Sequence, residues 1–333
     1  TFTQENGTSD IDFKNQSTFN ANVTIKDATS SDIRFTNQSG IKANIEVTNG
    51  NDNKLSFATG SFIEGTTTLT NTTATITAND NSTITGNLTA NNSTTTLSLG
   101  GASTFDGDIT QTNGSMTLTG STGSSFNAPA FNITGNNGNQ ATTNVNLNSN
   151  SNLTGNITAT NTNLSFSLNN ASSVGAVGNP STINLTDSTL SLTAQNGSTF
   201  NANITDTNNT NPLVTKTATI DLQTGSTFNG TLEFSNIDVT ASVNGSTFNS
   251  ESIKAQNGKF DLSYTNSPNG GVITKFEATN TDLNIKADNS TAFINELTIS
   301  GNTLNLLAEN NARLTIRNLE LDNNTKATYT AQT

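Results

Sequence analysis

The stretch Ile220-Asp221-Leu222-Gln223-Thr224-Gly225-Ser226-Thr227-Phe228-Asn229-Gly230-Thr231-Leu232 decides the fold. Its even steps, Ile220, Leu222, Thr224, Ser226, Phe228, Gly230 and Leu232, are apolar or small, and polar residues fill most of the gaps. Strict alternation of this kind marks a strand with one buried face. The same order recurs along the chain. It runs from Ile11 through Phe13, Asn15, Ser17, Phe19, Ala21 and Val23 to Ile25. It returns from Ile33 to Ile45 and from Leu97 to Ile109. Disordered chains of similar polarity do not hold a register, so the chain is folded.

Aligning these segments gives two apolar residues, two small polar ones, one large apolar one, Gly or Ala, then another apolar one. The large position falls at Phe19, Ile41, Ile63, Ile84, Phe105, Phe126, Leu153, Val174, Phe200, Phe228, Phe248, Phe293 and Leu314. Most marks are roughly 21 or 22 residues apart, and a degraded repeat over 260–276 carries Pro268 and Gly270-Gly271. The most literal copies are Asn196-Gly197-Ser198-Thr199-Phe200-Asn201, Thr224-Gly225-Ser226-Thr227-Phe228-Asn229 and Asn244-Gly245-Ser246-Thr247-Phe248-Asn249. Roughly fourteen such units without a helical pattern predict an all-β chain, a single-stranded right-handed parallel β-helix about 65 Å long. Apolar residues would stack into internal ladders, Asn-Gly and Thr-Gly steps would supply positive φ at a bend, and inward Ser would bond its equivalents. An antiparallel β-sandwich with hairpins at the Asn-Gly steps is the competing fold. The repeats, over roughly 11–321, form one continuous stretch in residues 1–333, and no membrane-barrel strands follow Leu321.

Composition excludes much chemistry. The 333 residues include no Cys, no His and no Trp, and Asn, Thr and Ser make up nearly half the chain. Zinc sites, Cys nucleophiles, His-based triads and disulfide scaffolds are therefore excluded, and no cofactor or metal is expected. Thirteen Lys and Arg against twenty-five Asp and Glu leave a net charge of −12, unsuited to nucleic acid. No apolar run approaches membrane-spanning length, and the chain opens with neither Met nor a signal segment. It is expected to be a mature or excised piece of something larger. Between Lys54 and Lys216 there is no Lys or Arg, and the only acids are Glu64, Asp80, Asp106, Asp108, Asp187 and Asp206.

No Gly-x-Ser-x-Gly element is present. The best local carboxylate pair, Asp106 and Asp108, lies on the outer side if Phe105 and Gly107 point inward, and reads as solvated acid. No catalytic residue is assigned. Interaction is expected instead at loops that break the period: 135–143, the distorted repeat at Pro268, and above all 206–217. In that last loop Asp206, Asn208, Pro212, Leu213, Val214 and Lys216 would present apolar groups and a lone cation on a neutral surface.

The Asn/Ser/Thr-rich coils with Gly-Ser-Thr-Phe-Asn and Asn-Ile-Thr elements resemble the passenger domains of type V autotransporters. Those of the vacuolating-cytotoxin-like (toxin-like outer membrane) family are nearest in character. The resemblance implies export through a C-terminal outer-membrane barrel and folding on the outside of a Gram-negative cell, at the surface or secreted. It implies a non-enzymatic role in adhesion, host interaction or colonisation, with a host surface or receptor as partner. Lack of Cys fits a chain threaded unfolded. Alternatives are a self-associating stalk and a β-helical polysaccharide lyase or hydrolase, which needs clustered carboxylates. Ice binding would need outward Thr-x-Thr steps such as Thr73-x-Thr75-x-Thr77 in register, and the outward positions vary along the chain.

Overall fold

A computed structural model describes residues 1–136, 140–207 and 216–332. Among these there is no helix; 71% of the chain is strand, wound as a right-handed parallel β-solenoid of about 14 turns. The chain divides into two compact units, Thr1–Asn163 and Leu164–Thr333. The Asn-Gly and Thr-Gly steps close solenoid corners, so the sandwich is excluded. Asn196 and Gly197 both have positive φ (56° and 73°), as do Thr224 and Gly225 (53° and 76°), and parallel strands follow each pair.

Within the first unit, Phe19 lies opposite Ile41, Ile41 opposite Ile63, and Ile63 opposite Ile84. The ladder continues through Phe105 and Phe126 to Leu153. Beside it Phe13, Phe35 and Phe57 stack, with ring centroids 4.7 and 5.1 Å apart. In the second unit Val174, Phe200, Phe228 and Phe248 form the equivalent column, and the last two rings stack at 4.9 Å.

The expected ladder fails at Phe293. Ser250 lies opposite Ile273 and Ile273 opposite Ile294, so the column passes from Phe248 to Gly271 and Ala292. Ala292 then meets Leu314. Phe293 is one residue out of step and half-exposed, and its ring lies 5.7 Å from the Arg317 guanidinium carbon. The lost ring volume is made up by Tyr264, fully buried against Gly270, where a Cβ would approach its ring to 2.8 Å.

Three kinds of corner turn the chain. One is centred on a left-handed Asn or Asp, at Asp27 (φ 53°), Asn49 (53°), Asn71 (50°), Asn92 (49°) and Asn113 (56°), the last followed by a left-handed Gly114 (70°). Asn and Asp tolerate this region because their short polar side chains bond locally. Here they also bond axially, Asn71 Nδ2 donating to Asn49 Oδ1 (3.3 Å) and Asn113 Nδ2 to Asn92 Oδ1 (2.9 Å). A second corner brings the backbone of successive coils so close that glycine recurs at Gly65, Gly86 and Gly107.

The third is a left-handed turn followed by a buried serine, of two residues in most coils and of one before Ser246, Ser267 and Ser290. Ser39, Ser61, Ser82, Ser103, Ser124 and Ser151 occupy it in the first unit, and Ser172, Ser198, Ser226, Ser246, Ser267 and Ser290 in the second. The hydroxyl closes its own turn, Ser82 Oγ donating to Asn79 O at 2.6 Å and Ser198 Oγ to Gln195 O at 2.8 Å. It also accepts from the preceding coil, as Ser103 Oγ does from Ser82 N (3.1 Å). Ser82→Ala should therefore lower stability by about 1 kcal/mol, since the turn loses the bond that its fully buried hydroxyl makes to Asn79 O. Thr85→Ala, on an exposed position, should change the urea midpoint much less.

Candidate ligand groove

The loop favoured by sequence does not supply an exposed cation. Asp206 points inward between Leu185 and Phe234 and is fully buried. Lys216 Nζ pairs with Asp187 at 2.6 Å, and the two side chains are only 6% and 11% exposed. Two charges leave water more readily together than singly, which explains why this lysine turns inward. Asn208, Pro212, Leu213 and Val214 lie outside the described residues. Lys216→Met should lower stability by about 3–5 kcal/mol, because it leaves the Asp187 carboxylate buried without its cation. Lys54→Met, whose ion pair with Asp52 is half-exposed, should lower it by no more than about 1 kcal/mol.

Asp108 also proves structural. Its carboxylate accepts the Ala130 amide at 3.1 Å, and its own amide donates to Asn87 Oδ1 at 3.0 Å. Asn22 and Asn44 play the same part in earlier coils, accepting from Asn44 N (3.1 Å) and Thr66 N (3.0 Å). Asp106 is exposed.

The outward threonines of the first unit are more regular than the sequence reading expects. Thr73, Thr94 and Ser115 lie in one row, Thr75, Thr96 and Thr117 in a second, and Thr77, Ser98 and Thr119 in a third. In the next coil Thr142 continues the first row, while Asn144 and Asn146 replace Thr in the others. Spacing along the chain had concealed this, because 21-residue coils bring the copies into register only once stacked.

A concave site appears where sequence did not place one. In the second unit a groove of about 660 Å³ crosses the strands Thr199–Asp206, Thr227–Ser235, Thr247–Thr265 and Val272–Asp288. Its floor is an amide ladder. Asn249 Nδ2 donates to Asn229 Oδ1 (3.0 Å), Asn229 Nδ2 to Asn201 Oδ1 (2.9 Å), and Asn201 Nδ2 to Gly175 O (3.4 Å). These asparagines follow the ladder phenylalanines Phe200, Phe228 and Phe248, so their side chains point out where the rings point in.

One end is formed by a tight excursion, 175–180, closed by reciprocal bonds between Ala176 and Asn179 (3.1 Å each). It holds Val177 out, 87% exposed, while Val272 at the other end is 43% exposed. The far wall carries Asn203, Thr231, Glu251 and Thr274. Asn203 Oδ1 accepts both the amide and the hydroxyl of Thr231, each at 3.1 Å. Glu251 stands at a β-bulge: Gly230 faces Ser250 but Leu232 faces Ile253, so Thr231 opposes two residues. Bulges re-aim side chains, and this one presents an exposed carboxylate beside the amides. Glu251 is the single ionisable residue in the lining among the described residues.

Two sequence signals could have located the groove. The period breaks after Val174 at a run containing Gly175, Gly178 and Pro180, and the Phe-Asn pairs recur at Asn201, Asn229 and Asn249. No family model, curated protein or solved structure matches the chain.

Proposed function

We propose that this chain is a non-enzymatic passenger of the type V autotransporter kind, displayed at or released from a Gram-negative cell surface, where it attaches to a host. The observation that carries this reading is the groove itself, which among the described residues has amides, hydroxyls and exposed valines but only one carboxylate. Glycoside cleavage by two carboxylates needs a second one across the scissile bond. A solenoid with local contacts also suits folding coil by coil as the chain emerges from a pore. The absence of Cys leaves no crosslink to obstruct that passage.

The test is display. The chain fused between a secretion signal and an autotransporter barrel should reach the outer surface folded, and those cells should attach to epithelial cells saturably. Retention in the periplasm, or turnover of a polysaccharide by the purified chain, would overturn the reading. The three rows of Thr and Ser in the first unit favour a second reading, a stalk that associates side by side through this uncharged face. Sedimentation of the purified chain, with Thr96→Lys as the disrupting variant, separates the two.

A further inference from the structure

We infer that the groove binds a linear, uncharged oligosaccharide lying along the solenoid axis, one sugar ring to a coil; this deepens the adhesion reading and rests on it. The polar groups come in rows. Each ladder amide spends one N–H on its neighbour and retains a second, because an asparagine nitrogen carries two. Asn203 uses its oxygen on Thr231, and its nitrogen donates to nothing among the described residues. In the adjoining row, beside Asn203, stand the Thr231 and Thr274 hydroxyls and the Glu251 carboxylate, which accept. Donors and acceptors in adjoining rows suit vicinal hydroxyls, which do both.

Shape and charge narrow the ligand further. Gly230 lets the floor strands pack closely, since a Cβ there would stand 1.8 Å from Ala202 O. Val177 and Val272 put exposed apolar surface at the two ends, suited to the C–H faces of sugar rings. An anionic glycan would meet Glu251 and no cation, because neither Lys nor Arg lines the groove. An extended peptide has no strand edge to join, since the strands of the floor are paired to neighbouring coils. From the 175–180 turn to Val272 the groove spans five coils, four steps of ~4.8 Å or roughly 19 Å in all, room for about four rings.

The experiment uses the whole chain against an immobilised library of neutral, sialylated and sulfated oligosaccharides of three to five residues, followed by calorimetry on a neutral one that binds. Neutral oligosaccharides should bind and charged ones should not. Val177→Asp, at a site too exposed to disturb folding, and Asn203→Ala should each weaken binding about tenfold or more. Phe62→Ser, in the other unit, should leave it unchanged. No neutral binding by the folded chain, binding of charged glycans alone, or wild-type affinity in both groove variants would overturn the proposal. Neutral-glycan binding by a chain that does not attach to host cells would keep the groove and remove the adhesion reading. Attachment of wild-type cells without glycan binding would do the reverse.

Discussion

Phe228→Asp should unfold the coils around it, with an expected loss above about 5 kcal/mol. Removing a fully buried phenylalanine costs about 3–5 kcal/mol through lost burial and the cavity left behind. An unpaired carboxylate in the same space adds a desolvation penalty or a neutralising proton. Phe228 is 0% exposed and stacks between Phe200 (6.3 Å) and Phe248 (4.9 Å), with no cation at hand for a carboxylate to pair with. Coils contact chiefly their neighbours, so hydrogen exchange should rise first in the strands bearing Phe200 and Phe248. Phe62→Ser is the matched control. Phe62 faces outward, covering Gly40 and lying 5.6 Å beneath Lys42 Nζ, so its loss should cost only about 1 kcal/mol. Equal melting shifts would mean that the inside and outside of the coil have been misassigned.

Gly86→Val should be comparably damaging for a different reason. At Gly86 a Cβ would stand 2.2 Å from Gly65 O, and φ is 126°, a region that β-branched residues do not adopt. The carbonyl belongs to the neighbouring coil, so relief requires the two coils to separate at that corner. The expected loss is more than about 4 kcal/mol, in the range of severe backbone effects. Gly123→Ala separates conformation from crowding. Gly123 also has positive φ (73°), but nothing lies within 4 Å of its missing Cβ. That variant should lose only about 1–2 kcal/mol, the left-handed penalty alone. Similar urea midpoints for the two variants would show that close approach of the coils is not what selects glycine at Gly65, Gly86 and Gly107.

The first of these predictions rests on parity, which the sequence determined unaided. Side chains alternate across a strand whatever the strand packs against, so Phe228 inward and Phe62 outward follow from local geometry. Recurrence at about 21 residues determined the solenoid and its number of coils, because only stacked coils can use such a period. The buried serine and the left-handed turn before it were also legible, since both lie within one turn of chain.

Tertiary structure decided whatever depends on counting residues through the corners. Phe293 left the ladder because the two coils after Phe248 take 23 and 21 residues, which puts Ala292 in the column and Phe293 on the other face of the strand. Lys216 turned inward because Asp187 waits there, a pairing between residues 29 positions apart that no local pattern announces. The threonine rows and the groove belong to the same class. Asn201, Asn229 and Asn249 are separated by 28 and 20 residues, and they become one amide floor only when the coils above and below fix their register. A strand's own sequence sets which way its side chains point; which neighbours they meet is set by the lengths of the loops between coils.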